Sequence, residues 1–277
     1  SYWLAGENGL IIKNKTGLVL SKLKGSCIGM VYKDTNNRIW VFDDEFRIHV
    51  FSATNQNILT TIPLPYIDNV NNKCEIIKGI YELENEDLIL LTVNGLMKAS
   101  LDKNGRCLIS KINFPEKKEL EKIAYLCMLK LENGNYWLGT KGKGIIELDD
   151  NYNFIGNIYP NVNSVNGLRG KLIYDLFKDK AGSIWIGSEL GLQVYHKKNN
   201  DIFSIKAVKN GNGLNLSMTF SILNFSKNFY YVGTVDGVFK VNKFDGNGHI
   251  IYKKPNNTCY SMYKDNYDNT WFGFNEG

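Results

Sequence analysis

The sequence predicts an all-β fold: a β-propeller of four-stranded antiparallel blades, with seven blades preferred and six possible. Three observations predict it. Apolar segments rich in β-branched and aromatic residues, roughly four to eight residues long, alternate with Gly, Asn and Asp turns. The composition suits strands joined by tight turns, with 26 Gly, 5 Pro, 16 Tyr, 14 Phe and 5 Trp in 277 residues. The pattern also repeats: equivalent strand positions fall at residues 3, 40, 89, 137, 185, 231 and 271, a spacing of about 40–50 residues that marks a propeller blade.

The clearest copy runs from Leu172 to Tyr195 and reads strand, turn, strand, turn, strand. Strand A is apolar and is predicted at Ile28–Lys33, Ile76–Leu83, Tyr125–Leu131, Leu172–Lys178, Met218–Phe225 and Cys259–Lys264. An Asp/Asn/Gly corner follows, because Asp and Asn tolerate left-handed backbone and bond to their own chain. Strand B carries the Trp, as at Trp40, Trp137, Trp185 and Trp271. The Gly after it leaves room for a close backbone approach. Strand C opens on a Gly-apolar pair, and strand D varies most, as at Phe154–Tyr159 and Phe203–Ala207. Six A strands against seven B strands give seven blades, the first lacking A and the last lacking C and D. In a six-bladed ring, Cys259–Lys264 would instead join the N-terminal strands. Residues 1–277 form a single propeller domain that starts and stops within a repeat, so it is expected to be part of a longer chain. Residues 85–92 lack the Trp and the Gly, and Val41-Phe42 lacks the Gly; distortion is expected there.

Composition excludes several classes. The net charge is +5 from 33 basic and 28 acidic residues, and the basic residues are scattered, so no nucleic-acid partner is expected. No run of 18 apolar residues exists to span a membrane. The five cysteines form no Cys-x-x-Cys pair, and Cys27, Cys127 and Cys259 are expected as buried free thiols. His49, His196 and His249 are expected on outer surfaces, which makes a poor metal site or general base. Gly211-Asn-Gly213 and Gly246-Asn-Gly248 lack the Lys-Ser/Thr of a phosphate loop. The sequence therefore calls for no cofactor, no metal and no catalytic residue.

The stretch Asp179-Lys-Ala-Gly-Ser-Ile-Trp-Ile-Gly-Ser-Glu-Leu-Gly-Leu resembles the two-component-regulator propeller repeat. Asn166-Gly-Leu168 and Asn212-Gly-Leu214, ahead of strands A, agree with that family, as do Trp137-Leu-Gly-Thr and Tyr231-Val-Gly-Thr. The resemblance implies the periplasmic sensor region of a Bacteroidetes hybrid two-component system histidine kinase. Such a region binds an oligosaccharide, is fused to a membrane-anchored kinase and works as a homodimer. A protein-interaction scaffold and a polysaccharide lyase-type propeller are the alternatives.

In a propeller the B–C turns and the long D–A connections gather on one face, where binding usually lives. Sugar recognition needs flat aromatics and polar groups for hydroxyls and carboxylates. The ligand-binding residues predicted on that face are Glu45, Tyr66, Lys141, Lys143, Arg169, Glu189, Asn215 and Asp236. Lys141, Lys143 and Arg169 would favour an anionic glycan.

Overall fold

A computed structural model describes residues 1–13, 19–65, 76–101, 106–161, 166–197, 201–209, 212–215, 218–253 and 257–275. Its backbone forms 27 strands. Blade 1 has three, β1 (Tyr2–Gly6), β2 (Gly9–Lys13) and β3 (Val19–Lys22). Blade 2 comprises β4 (Ile28–Lys33), β5 (Arg38–Asp43), β6 (Arg47–Ser52) and β7 (Ile58–Pro63). Blade 3 comprises β8 (Ile77–Glu82), β9 (Leu88–Thr92), β10 (Gly95–Leu101) and β11 (Cys107–Ile112). Blade 4 comprises β12 (Tyr125–Lys130), β13 (Tyr136–Thr140), β14 (Ile145–Leu148) and β15 (Phe154–Ile158). Blade 5 comprises β16 (Ile173–Lys178), β17 (Ile184–Ser188), β18 (Gly191–His196) and β19 (Asp201–Ser204). A hairpin of β20 (Lys206–Lys209) and β21 (Asn212–Asn215) follows. Blade 6 comprises β22 (Thr219–Asn224), β23 (Phe229–Thr234), β24 (Gly237–Asn242) and β25 (Gly248–Lys253). Blade 7 is the pair β26 (Cys259–Lys264) and β27 (Thr270–Phe274).

These are up-and-down meanders, and the count of seven blades holds. Cys259–Lys264 pairs with the strand bearing Trp271, as seven blades require. Blades 2 and 3 form complete four-stranded sheets without the Trp-Gly pattern. Two details differ from expectation. Strand D of blade 5 lies at Asp201–Ser204, and the D–A connection after it folds into the β20–β21 hairpin. The connection at 115–123 holds a short 3-10 helix, Lys118–Lys122.

The chain divides into two compact units, Ser1–Tyr125 and Leu126–Gly277. In the first, Trp40, Val50, Leu88, Leu90 and Met97 pack between blades 2 and 3, while Leu10, Ile12, Ile39, Val41 and Phe51 pack between blades 1 and 2. In the second, Trp137, Ile173, Ile184 and Ile186 pack between blades 4 and 5, and Trp185, Tyr230 and Val232 between blades 5 and 6. Trp40, Trp137 and Trp185 are therefore inter-blade filler, each burying a large apolar surface against the next sheet.

The Gly of the repeat has a steric cause. A Cβ on Gly139 would stand 2.4 Å from Cys127 Sγ and 2.8 Å from the Ile173 carbonyl, and one on Gly233 would stand 2.4 Å from Ser221 Oγ and 2.7 Å from the Cys259 carbonyl. The following Ser or Thr clamps the B–C turn. Thr140 Oγ1 donates to the Gly144 carbonyl at 2.8 Å and accepts from Lys143 N–H at 3.0 Å. Thr92, Ser188 and Thr234 repeat this arrangement. All four are fully buried, so these hydroxyls complete backbone hydrogen bonds that water cannot reach.

Cys27 is held in a disulfide, whereas Cys107, Cys127 and Cys259 are free. The expectation of a free thiol at Cys27 is thereby corrected. No helix among the described residues is long and apolar enough to cross a membrane.

Candidate functional site

The second unit gathers four of the predicted residues, Lys141, Lys143, Arg169 and Glu189, around one backbone segment. Lys171 and Leu172, just ahead of β16, lie between two turns. On one side Gly142 and Gly144 N–H donate to the Lys171 carbonyl at 2.9 and 3.1 Å, and Lys141 bridges to Leu172. On the other, Glu189 accepts from Lys171 N–H at 2.8 Å and Leu172 N–H at 2.9 Å. Arg169 sits two residues earlier, its N–H donating to Gln193 Oε1 at 2.9 Å. The Arg169 and Lys141 side chains are exposed. Glu189 is thus a backbone clamp as well as a surface charge. Asp236 is exposed on the equivalent turn of blade 6, fixed through Thr234. Glu45 lies in the first unit and pairs with Arg47 at 2.7 Å. Tyr66 lies outside the described residues, and the side chain of Asn215 is likewise not described.

Beside this cluster runs a feature the sequence reading missed. The pairing of strands A and B slips by one residue in blades 2, 3, 5, 6 and 7, between Ile28/Met30, Ile77/Gly79, Ile173/Asp175, Thr219/Ser221 and Cys259/Ser261. Each slip is a β-bulge, which re-aims the extra side chain. The bulged residues are Gly29, Lys78, Tyr174, Phe220 and Tyr260. In blades 5, 6 and 7 they form an aromatic ladder, with ring centroids 4.5 Å apart for Tyr174–Phe220 and 5.0 Å for Phe220–Tyr260. Tyr260 is 53% exposed, and the other two are half-buried. Burial, then the charges of Glu189 and Tyr260, raise the Tyr174 phenol, which places the ladder beside the Glu189 clamp. One signal in the sequence could have found it: the second residue of strand A is Gly, Lys, Leu, Tyr, Phe, Tyr from blade 2 to blade 7.

Behind the ladder, Asp175 accepts from Ile222 N–H of the next blade at 2.7 Å and from Leu176 N–H at 2.9 Å. Burial pushes its carboxyl up to about 6 despite those two hydrogen bonds.

The histidines need one correction. His49 is buried, 4% exposed, rather than on an outer surface. Its Nε2 meets Asp43 Oδ2 at 2.8 Å and its Nδ1 meets Thr61 Oγ1 at 3.0 Å. Burial alone would raise Asp43, but hydrogen bonds from His49 and Arg47 outweigh it and hold the carboxyl below the ordinary range. Two backbone N–H groups, of Glu45 and Arg47, also point at Asp43. This network fixes the β5–β6 turn, taking the part that Ser or Thr plays in blades 3 to 6. His196 and His249 are exposed as expected. Among the described residues no three His, Cys, Asp or Glu side chains come together to hold a metal.

On the side of the A–B corners a cleft of about 1030 Å3 opens between blades 5 and 6, walled by Trp185, Phe225, Tyr230, Lys243 and Phe244. Its central polar groups, Asp179 and Lys243, are spent internally. Asp179 accepts from Trp185 Nε1 at 2.9 Å and from the Tyr230 hydroxyl at 3.1 Å, and Lys243 donates to Asn224 Oδ1 and the Ser226 carbonyl.

The model of the two component regulator propeller family matches residues 167–189, which span the lead-in, strand A and strand B of blade 5. No curated protein matches the chain by sequence. Solved structures do match in shape. The extracellular domain of a hybrid two component system from B. thetaiotaomicron is 18% identical with TM-score 0.67, over 98% of this chain and 37% of that one. Virginiamycin B lyase from Staphylococcus aureus is 12% identical with TM-score 0.64, over 97% and 85%. The WD40 β-propeller domain of Doa1 is 12% identical with TM-score 0.65, over 99% and 86%. The chain spans about a third of the length of the extracellular domains it matches. At these identities the likeness concerns the fold. This chain is a β-propeller whose residues 167–189 match the two component regulator propeller repeat.

Proposed function

We propose that this propeller is the extracytoplasmic ligand-binding region of a hybrid two-component sensor, and that its ligand is an oligosaccharide. The observation that carries the reading is the Tyr174–Phe220–Tyr260 ladder beside Arg169, Lys141 and Glu189. Three rings in a row offer apolar faces to successive sugar rings, and the neighbouring cations and carboxylate supply partners for hydroxyl and carboxylate groups. Lys143 shares the turn of Lys141, Asp236 lies on the equivalent turn of blade 6 and Asn215 at the end of β21, while Glu45 belongs to the first unit and Tyr66 lies outside the described residues. The matched repeat and the hybrid two component system domains support the sensor role. The Cys27 disulfide supports a compartment outside the cytoplasm, since such bonds persist in oxidising surroundings. The periplasm is that compartment, and fusion to a membrane-anchored kinase acting as a homodimer is the arrangement that would carry the signal.

The test is isothermal titration with a panel of neutral and uronate-containing oligosaccharides. One glycan class should bind, and Tyr174→Ala and Phe220→Ala should each weaken it by about tenfold, equal to ~1.4 kcal/mol. Arg169→Ala should matter only for acidic glycans. Binding indifferent to both ring deletions, or no binding by a folded protein, would sink the reading.

A further inference from the structure

The indole N–H groups on strands B obey one rule in three blades. An Asp six residues earlier, at the A–B corner, accepts the proton: Trp40 donates to Asp34 at 2.8 Å, Trp185 to Asp179 at 2.9 Å and Trp271 to Asp265 at 3.0 Å. The same carboxylates accept from corner backbone N–H groups, so one Asp folds the turn and anchors the ring.

Blade 4 departs from this. Residue 131 is Leu, and Trp137, only 4% exposed, keeps a buried Nε1 with no hydrogen-bond partner. A buried donor left unpaired is costly, and native structures seldom retain one without a reason. Trp137 forms part of the wall of a cleft of about 360 Å3 between blades 4 and 5, within the size range of small-molecule sites. Leu131, Ile158, Ile184 and Tyr195 supply its apolar surface. Its charged groups are unequally engaged. Glu132 pairs with Lys197 at 3.1 Å, and Glu147 accepts from Asn135 Nδ2 at 2.9 Å. The half-buried Lys178 has no ion pair or hydrogen bond among the described residues and feels Glu132 only through longer-range attraction. Two unspent donors, a neutral one shielded within the wall and a cationic one on it, therefore lie at a partly apolar cleft.

We propose that this cleft binds a small ring-bearing carboxylate. Trp137 N–H donates to one carboxylate oxygen, Lys178 balances the charge, and the ring of the ligand lies against Ile158, Ile184 and Tyr195. An aromatic ring and a sugar ring present the same carboxylate, and the titration below distinguishes them. The site is separate from the aromatic ladder, and neither proposal depends on the other.

The experiment follows the five indole N–H resonances of 15N-labelled protein during titration with sodium benzoate and with sodium glucuronate, against benzyl alcohol and glucose as neutral counterparts. Trp137→Phe assigns its resonance. One carboxylate should shift the Trp137 signal saturably at millimolar concentration while its neutral counterpart does not. Whichever carboxylate acts identifies the ring. Leu131→Asp, which installs the acceptor found in the sister blades, should weaken binding by about tenfold or more and leave the Trp185 signal in place. Lys178→Met should weaken it as well, and serves alone if Leu131→Asp fails to fold. No saturable shift with either carboxylate, an equal shift with a neutral counterpart, or unchanged affinity in the folded variants would overturn the proposal and leave a cleft that holds only water.

Discussion

Blade 3 and blade 4 solve one packing problem in opposite ways. Where strands A and B face each other at this level of the sheet, one of the two residues is a Gly in blades 3 to 7. In blade 3 strand A supplies Gly79 opposite Leu91. In blades 5, 6 and 7 strand B supplies Gly187, Gly233 and Gly273 opposite Asp175, Ser221 and Ser261, and Gly139 of blade 4 does the same against Cys127. The Gly of the repeat therefore serves a volume that two strands share. A blade that lacks it on one strand can carry it on the other, as blade 3 does. Blade 2 places Phe42 opposite Met30, with a Gly only at the bulge itself, and nothing else in the structure explains how that pair is accommodated.

The comparison can be broken most sharply by exchanging sizes. Leu91→Ala should open a cavity and cost about 3 kcal/mol, since Leu91 is 2% exposed. Gly139→Ala should cost about as much for the reverse reason, because its Cβ would strike a backbone carbonyl at 2.8 Å. Urea titration of each variant measures both. A mild Gly139→Ala would mean that strand A yields, and the shared-volume account would be wrong.

The residue opposite the Gly also differs in chemistry, and Asp175 sharpens that point. Its folded pKa of about 6 exceeds the ordinary 3.8. A carboxyl raised on folding stabilises fully below the unfolded value and loses that contribution as pH rises through the folded one. Stability relative to Asp175→Asn should therefore fall between about pH 4 and pH 6, by an amount on the order of 2–3 kcal/mol, and level off above. Parallel pH profiles would show that Asp175 does not titrate in this window.

Breaking the Cys27 disulfide with reductant should cost about 2 kcal/mol. Thiol titration of the denatured, unreduced chain should find Cys107, Cys127 and Cys259 reactive and Cys27 silent. The smallest effect concerns the indoles. Trp40→Phe gives up a hydrogen bond to a carboxylate, whereas Trp137→Phe gives up none. The first should cost about 1.5 kcal/mol more than the second.

The repeat was legible in the sequence because blade period, corner Asp, strand-B Trp and turn residues are each local. Strand boundaries held to within a few residues except at Phe203–Ala207, where a second hairpin competes for the same apolar run. The aromatic residues of the ladder were visible at the second position of strand A, but their stacking was not. A bulge depends on the register between two strands, and a residue that appears to alternate inward or outward is turned by one unpaired position. His49 was misplaced for a similar reason: the partner that makes its burial possible, Asp43, sits in a turn that reads as surface. Of the predicted site, the cluster of Lys141, Lys143, Arg169 and Glu189 follows from blade geometry, but the clamp role of Glu189 needed the path of the backbone at Lys171.

Three of the Trp rings on strands B are 1–4% exposed, while Trp271 is 54% exposed. The protein thus carries its own optical reporter. Emission from Trp271 should be red-shifted and readily quenched by acrylamide, against a background of shielded indoles. Any strand or partner that covers β27 will register as a blue shift from this one residue, so assembly on that edge can be followed without attaching a label.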